Sequence, residues 1–219
     1  MKSNHASQVV VVAVAAAGLL AACSLNPKED PTRYYVLATL TEDPGLYDAA
    51  GLAGETDEEA SLSAGRHVQM SVGVGPITLP GYLKRSRMVT RESDNELKYF
   101  ETSRWAQPLG ESLQYSMLVN IGMLLWTDQI VLHPWYKTRQ PAYAVEVDIG
   151  RFERGHDGSA LLAARWTIRN ADGEVLAANS FKQVVAADSA SIATTVNAQS
   201  QLVAAMSRQI ADALRRVAS

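Results

Sequence analysis

One cysteine in 219 residues, Cys23, leaves no pair from which a disulfide could form, so packing alone must hold whatever this chain folds into. The cysteine closes an apolar run, Val9 to Ala22, fourteen residues without a charged or polar side chain. A basic start (Met1, Lys2), a hydrophobic stretch in the ~7–15 residue range and small residues at its end form the pattern of a secretory signal. The run is short for a membrane-crossing helix, which needs ~20 apolar residues. Residues 1–22 are therefore expected to be removed. What remains is 197 residues with 19 basic and 23 acidic side chains. That length suits one domain, and a net charge of −4 argues against nucleic acid as a partner.

The ending Leu20-Ala21-Ala22-Cys23 resembles the lipobox of bacterial lipoproteins, in which cleavage falls just before the cysteine and the new N-terminus carries lipid. The other reading is an ordinary signal peptide with an incidental cysteine. Acylation would consume the only thiol, with chains such as palmitate as the one covalent group the protein carries and no other cofactor. Each buried acyl CH2 contributes ~0.8 kcal/mol, and two or more chains make anchoring stable. Ser24 follows the cysteine. The absence of Asp there leans towards the outer membrane, facing the periplasm. That compartment permits disulfides, yet the chain has none to form.

Acidity is confined to one segment. Residues 41–66 hold seven acids and one base, and are rich in Gly, Ala and Ser. This composition is expected to be a long surface loop or disordered insert. Residues 23–33 read as a polar tether with Pro27 and Pro31, and residues 34–219 as a single domain containing the insert. Tyr34–Leu40 has the aromatic and β-branched content of a first strand, and Val68, Met70, Val72 and Val74 share one face of a second. Pro76 and Pro80 predict an edge or extended stretch after it. Residues 88–91 and 97–100 read as a hairpin around Ser93-Asp94-Asn95.

Pro108 can open a helix whose Leu109, Leu113, Met117, Ile121, Leu124 and Leu125 make one apolar stripe, ending near Trp126 or Thr127. Residues 128–141 hold a short strand and a loop. Three alternating runs follow, starting near Tyr143, Ala160 and Val175, with turns at Asp157-Gly158 and Asp172-Gly173, as in an antiparallel meander with one wet face. A long helix over about 189–217, capped by Asp188 or Ser189, carries Ile192, Val196, Val203, Met206, Ile210, Leu214 and Val217, broken by Gln199. The expected fold is α+β: a two-layer sandwich in which a mainly antiparallel sheet is covered on one face by a mid-chain helix and a long C-terminal helix.

No catalytic constellation emerges. His67, His133 and His156 lie at no metal-ligand spacing, no nucleophile elbow or phosphate loop is present, and Gly73-Val74-Gly75 runs into Pro76 rather than a helix. Glu146 and Asp148 share one solvated strand face and read as solubility residues. The expectation is a non-enzyme with no metal and no catalytic residue.

The order Gly75-Pro76, Leu79-Pro80, Tyr82-Leu83, Arg87-Met88-Val89-Thr90-Arg91, Asn95 and Arg104-Trp105-Ala106-Gln107-Pro108-Leu109 resembles the ABC-type transport auxiliary lipoprotein family. Tyr34-Tyr35-Val36-Leu37 and Arg165-Trp166 resemble it too, while Gln107 stands where the family commonly has Glu. The resemblance implies a non-enzymatic, PqiC-like lipoprotein of an intermembrane lipid transport system. Its implied partners are an inner-membrane-anchored MCE-domain protein with permease and ABC components, and further copies of itself in a ring. A lipid carrier acting through its own cavity, and an envelope scaffold, are the alternatives. Arg104, Trp105, Trp135 and Tyr136 are the candidate partner-binding residues. Trp105 and Leu109 could equally pack the helix start, with Arg104 bound to a local carbonyl or carboxylate. Trp135 and Tyr136 sit in a Pro-containing loop, where aromatics suit an interface.

Overall fold

The computed structural model describes residues 29–43, 45–46, 70–136, 138, 140–188 and 191–219. Cys23, the apolar run, the tether up to residue 28, His67, Ser189 and the acidic segment from residue 47 onwards lie outside them. The described strands are β1 (Arg33–Tyr35), β2 (Val72–Thr78), β3 (Arg87–Ser93), β4 (Glu96–Trp105), β5 (Ile130–Leu132), β6 (Tyr143–Gly155), β7 (Ala160–Asn170) and β8 (Val175–Val185). The helices are α1 (Leu109–Leu125) and α2 (Ile192–Ala218), and a 3-10 turn spans Gly81–Lys84. Contacts divide the chain at Pro31, and Thr32–Ser219 is the unit described below.

β6 organises the sheet. Along one side it pairs antiparallel with β7 from Tyr143 to Arg154. Along the other it takes two partners in succession: β2 runs parallel to its first half, from Val72 opposite Tyr143 to Thr78 opposite Asp148. β3 runs parallel to its far end, with Thr90 and Arg91 opposite Arg154 and Gly155. β2, the 3-10 turn and β3 thus behave as one interrupted strand beside β6. The sheet forks there, one branch continuing to β5 and the other to β4 and β1. Parallel pairs are short; the antiparallel ladders β6–β7 and β7–β8 carry most of the pairing.

Alternation decides which face is covered. Val145, Val147 and Ile149 of β6 and Ala160, Leu162, Ala164, Trp166 and Ile168 of β7 are buried on one side, while Asp148 and Arg165 are exposed on the other. A register shift between Ile149 and Arg151 lets Phe152 stay on the covered side, opposite Leu162. α1 packs over β2 and β5, α2 over β7 and β8, and the two helices pack against each other. Leu113, Met117 and Ile121 of α1 and Leu202, Met206, Ile210 and Leu214 of α2 are fully enclosed. At ~25 cal/mol per Å² of apolar surface, each such side chain contributes roughly 1.5–3 kcal/mol. Arg215 of α2 donates to the Leu124 carbonyl, placing a cation at the C-terminal end of α1.

The first strand is shorter than the sequence suggests. β1 ends at Tyr35, because the next backbone groups are taken by helix side chains. Ala38 N donates to Ser200 Oγ of α2 at 3.0 Å, and Leu40 N to Asn120 Oδ1 of α1 at 2.9 Å. Leu37, Thr39 and Leu40 are buried against the helices, as is Leu46 within the start of the acidic segment. Within that start Thr41, Glu42 and Gly45 stay exposed, and Asn197 of α2 donates to Asp43 at 3.0 Å. Ser112 and Ser116 of α1 are buried along with Asn120.

Two further expectations are corrected. Pro76 lies within β2, which sits between β5 and β6 rather than at an edge. The proline falls where the β2–β6 register shifts, between Val74 and Ile77, so its missing N–H breaks no rung, and the Gly75–Pro76 peptide is cis. The cap of α2 is Ser191, whose side chain accepts from Thr194 N; the Asp188 carbonyl accepts from the Thr194 hydroxyl.

Asn120→Ala leaves the buried Leu40 N–H without an acceptor. It is expected to lower unfolding free energy by about 1–3 kcal/mol in urea titration, whereas Asn197→Ala at the exposed Asp43 contact should change it by less than about 0.5 kcal/mol.

Candidate functional site

Trp135 and Tyr136 follow β5, an edge strand whose one sheet neighbour is β2. Val131 and Leu132 are each 39% exposed and Tyr136 is 82% exposed, an unusual run of uncovered apolar surface. The loop carrying Tyr136 is nonetheless tied down. His133 N donates to the Val74 carbonyl at 2.8 Å, and Gln114 Nε2 of α1 donates to both the Val74 and His133 carbonyls at 2.8 Å. The Trp135 ring stands edge-on to His133, 5.1 Å between centroids. It also lies so close to Gly73 that a Cβ there would come within 2.6 Å of the indole and of Pro141. Gly75, at φ 109°, admits Gln114 in the same way. Glycines and one glutamine thus hold a half-buried tryptophan, which in turn presents Tyr136. An aromatic on a rigid support binds with little ordering cost.

Arg104 and Trp105 lie on the other branch of the fork. Trp105 is 5% exposed and stacks on Phe152 at 6.3 Å, and Leu109, which opens α1, is buried as well. Arg104 points to the opposite face. It is opposite Arg87 across β3–β4 and opposite Tyr34 across β1–β4. The expected local carbonyl or carboxylate is absent: among the described residues neither Arg104 nor Arg87 has an ion pair or side-chain hydrogen bond. The four candidates therefore do not converge. Tyr136, set by Trp135, marks one surface; Arg104 marks another, with β3, β6 and β2 between them in the sheet.

A third cluster, silent in the sequence, sits at the fork. Glu153 of β6 is 1% exposed on the face away from the helices. Its carboxylate accepts from Arg91 of β3, from Arg151 Nε at 2.7 Å and from the Tyr82 hydroxyl of the 3-10 turn at 2.5 Å. Burial alone would raise the Glu153 pKa, but the bonds from Arg91, Tyr82 and Arg151 outweigh it and hold the carboxyl below its usual range. Burial, then the bond to Glu153, pushes the Tyr82 phenol up. The cluster fastens the turn and β3 to β6. No spacing rule could have found it, since the residues lie 62 and 71 positions apart.

A depressed carboxyl stabilises above its unfolded pKa and ceases to as pH falls through the folded value; a raised phenol stabilises fully below its unfolded value of about 10 and ceases to as pH rises through its higher folded value. Glu153→Gln is expected to cost about 2 kcal/mol near neutral pH, less than a fully buried pair because Arg151 is 40% exposed. The gap to the parent should close below about pH 4, as read by urea unfolding across pH.

The family model for the ABC-type transport auxiliary lipoprotein component matches residues 52–211. No curated protein matches the chain. Among solved structures, an uncharacterized protein shares 20% identity over 66% of this chain and 92% of its own, with a TM-score of 0.58. A Xanthomonas campestris protein of family DUF330 shares 18% identity over 66% of this chain and 83% of its own, also with a TM-score of 0.58. At these identities the two structures establish the same fold. The family match spans most of the sequence, and the α+β architecture agrees with it: this chain belongs to the ABC-type transport auxiliary lipoprotein family.

Proposed function

We propose that this protein is an outer-membrane lipoprotein, held by acyl chains on Cys23, that docks an MCE-domain protein in an intermembrane lipid transport system and catalyses no reaction itself. The observation that carries the reading is Tyr136, 82% exposed on a loop fixed by Gln114 and Trp135 at an open sheet edge. A pinned aromatic beside Val131 and Leu132 is the kind of anchor on which protein contacts concentrate. The transport requirement is physical. A phospholipid with ~30 acyl CH2 groups would cost on the order of 25 kcal/mol to expose to water, so its route between membranes must be shielded. A shielded route needs a collar where it meets the second membrane.

A ring of copies would make such a collar, and the open edge at β8 suits contact between copies. β8 is eleven residues long, and Val175, Leu176 and Val184 on it are 54%, 39% and 57% exposed. Unpaired long edges are templates for further pairing.

Affinity capture of the full-length protein from detergent-solubilised membranes should recover an MCE-domain protein with its permease. Tyr136→Ala should lower that recovery at least about tenfold, as for loss of a hot-spot aromatic, with unfolding in urea unchanged. Capture of no MCE-domain protein, while other lipoprotein complexes in the same extract survive, contradicts the reading.

A further inference from the structure

The row Tyr34, Arg104 and Arg87 runs across three adjacent strands on the face away from the helices. Two arginines directly opposed across a ladder repel each other. Neither is neutralised within the described residues. More cations surround them: Lys84 and Arg85 precede Arg87 and are exposed. The Arg85 guanidinium lies 5.2 Å from the Tyr99 ring and makes no ion pair there. Tyr34 is 64% exposed at the margin. The chain as a whole carries a net charge of −3, so this concentration of positive charge is local.

Its position along the chain suggests what covers it. Nine residues lie between Cys23 and Arg33, ten steps of chain and a reach of at most ~35 Å. The patch is thus built on the first strand after the anchor. Given the acyl anchor of the preceding section, on which this step rests, we infer that Tyr34, Lys84, Arg85, Arg87 and Arg104 seat the domain on an anionic phospholipid surface. The acyl chains hold the protein to the membrane, and the cationic row sets which face is turned towards it. Arginines pair with headgroup phosphates, and a tyrosine suits the interfacial layer. Each cation close to an anionic bilayer tightens the contact about fivefold.

The test uses full-length protein carrying Ser86→Cys, labelled with a fluorophore between Arg85 and Arg87. It is placed in vesicles of phosphatidylcholine alone, or with phosphatidylglycerol added, that contain a headgroup quencher. Quenching should be at least about fivefold stronger on the anionic vesicles. It should fall to the neutral level in high salt, and likewise with Arg87→Gln and Arg104→Gln together. Equal quenching on the two vesicle types overturns the inference and leaves the patch for an acidic protein surface. Flotation with pure phosphatidylcholine vesicles reads the anchor separately. If Cys23→Ser floats as well as the parent, the acyl anchor is wrong, while the difference between anionic and neutral vesicles still decides the patch.

Discussion

A strand with three partners is the constraint from which the rest of this fold follows. β6 must offer one edge to β7 over its whole length and divide the other between β2 and β3. The division requires β2 to stop pairing partway: Gly75-Pro76 shifts its register without ending it, and after Thr78 Pro80 opens the 3-10 turn that does. It also requires something to hold the turn and the start of the β3 branch against β6 where the ladder is interrupted. The Glu153 carboxylate performs that role, drawing Tyr82, Arg91 and Arg151 to one point on the outer face. The helices then need only cover the other face, which the alternation of β6 and β7 makes apolar.

Elements that depend on local pattern were legible before the structure. The meander, the hairpin β3–β4, α1 from Pro108 and α2 all declare themselves through periods of two or 3.6 and through turn residues. What depends on distant pairing was not. The parallel contacts of β1 with β4 and of β2 and β3 with β6 join residues far apart in the chain, and no period encodes them. Tyr34–Leu40 reads as one strand because its composition is that of a strand; Asn120 and Ser200 end it, and their role appears only once the helices are in place. Pro76 misleads because a proline breaks a strand except where the register already shifts.

The candidate site was legible in the same uneven way. Tyr136 is prominent in sequence as an aromatic beside Pro134, and it is prominent in the fold. Trp135 shares that signal yet acts mainly as a support, wedged against Gly73 and Pro141. Arg104 and Trp105 are neighbours in sequence and face opposite ways, one outward beside Arg87, the other onto Phe152. Strand alternation explains the difference, because adjacent residues serve opposite faces. A family motif can therefore mix a packing residue with a surface residue, and only the pleat separates them. Membership in a transport auxiliary lipoprotein family accords with a molecule whose distinctive features are surfaces: an aromatic edge, a long strand with an open edge and a cationic row.

Contact at the β5 edge is the central claim, and site-specific photocrosslinking in living cells measures it most directly. A photoreactive amino acid placed at Tyr136 should yield, on illumination, an adduct containing an MCE-domain protein. The same group at the exposed Arg165, on the face away from the helices, should yield none. Equal adducts from both positions, or adducts at Tyr136 with lipid or other copies of this chain alone, would contradict the account.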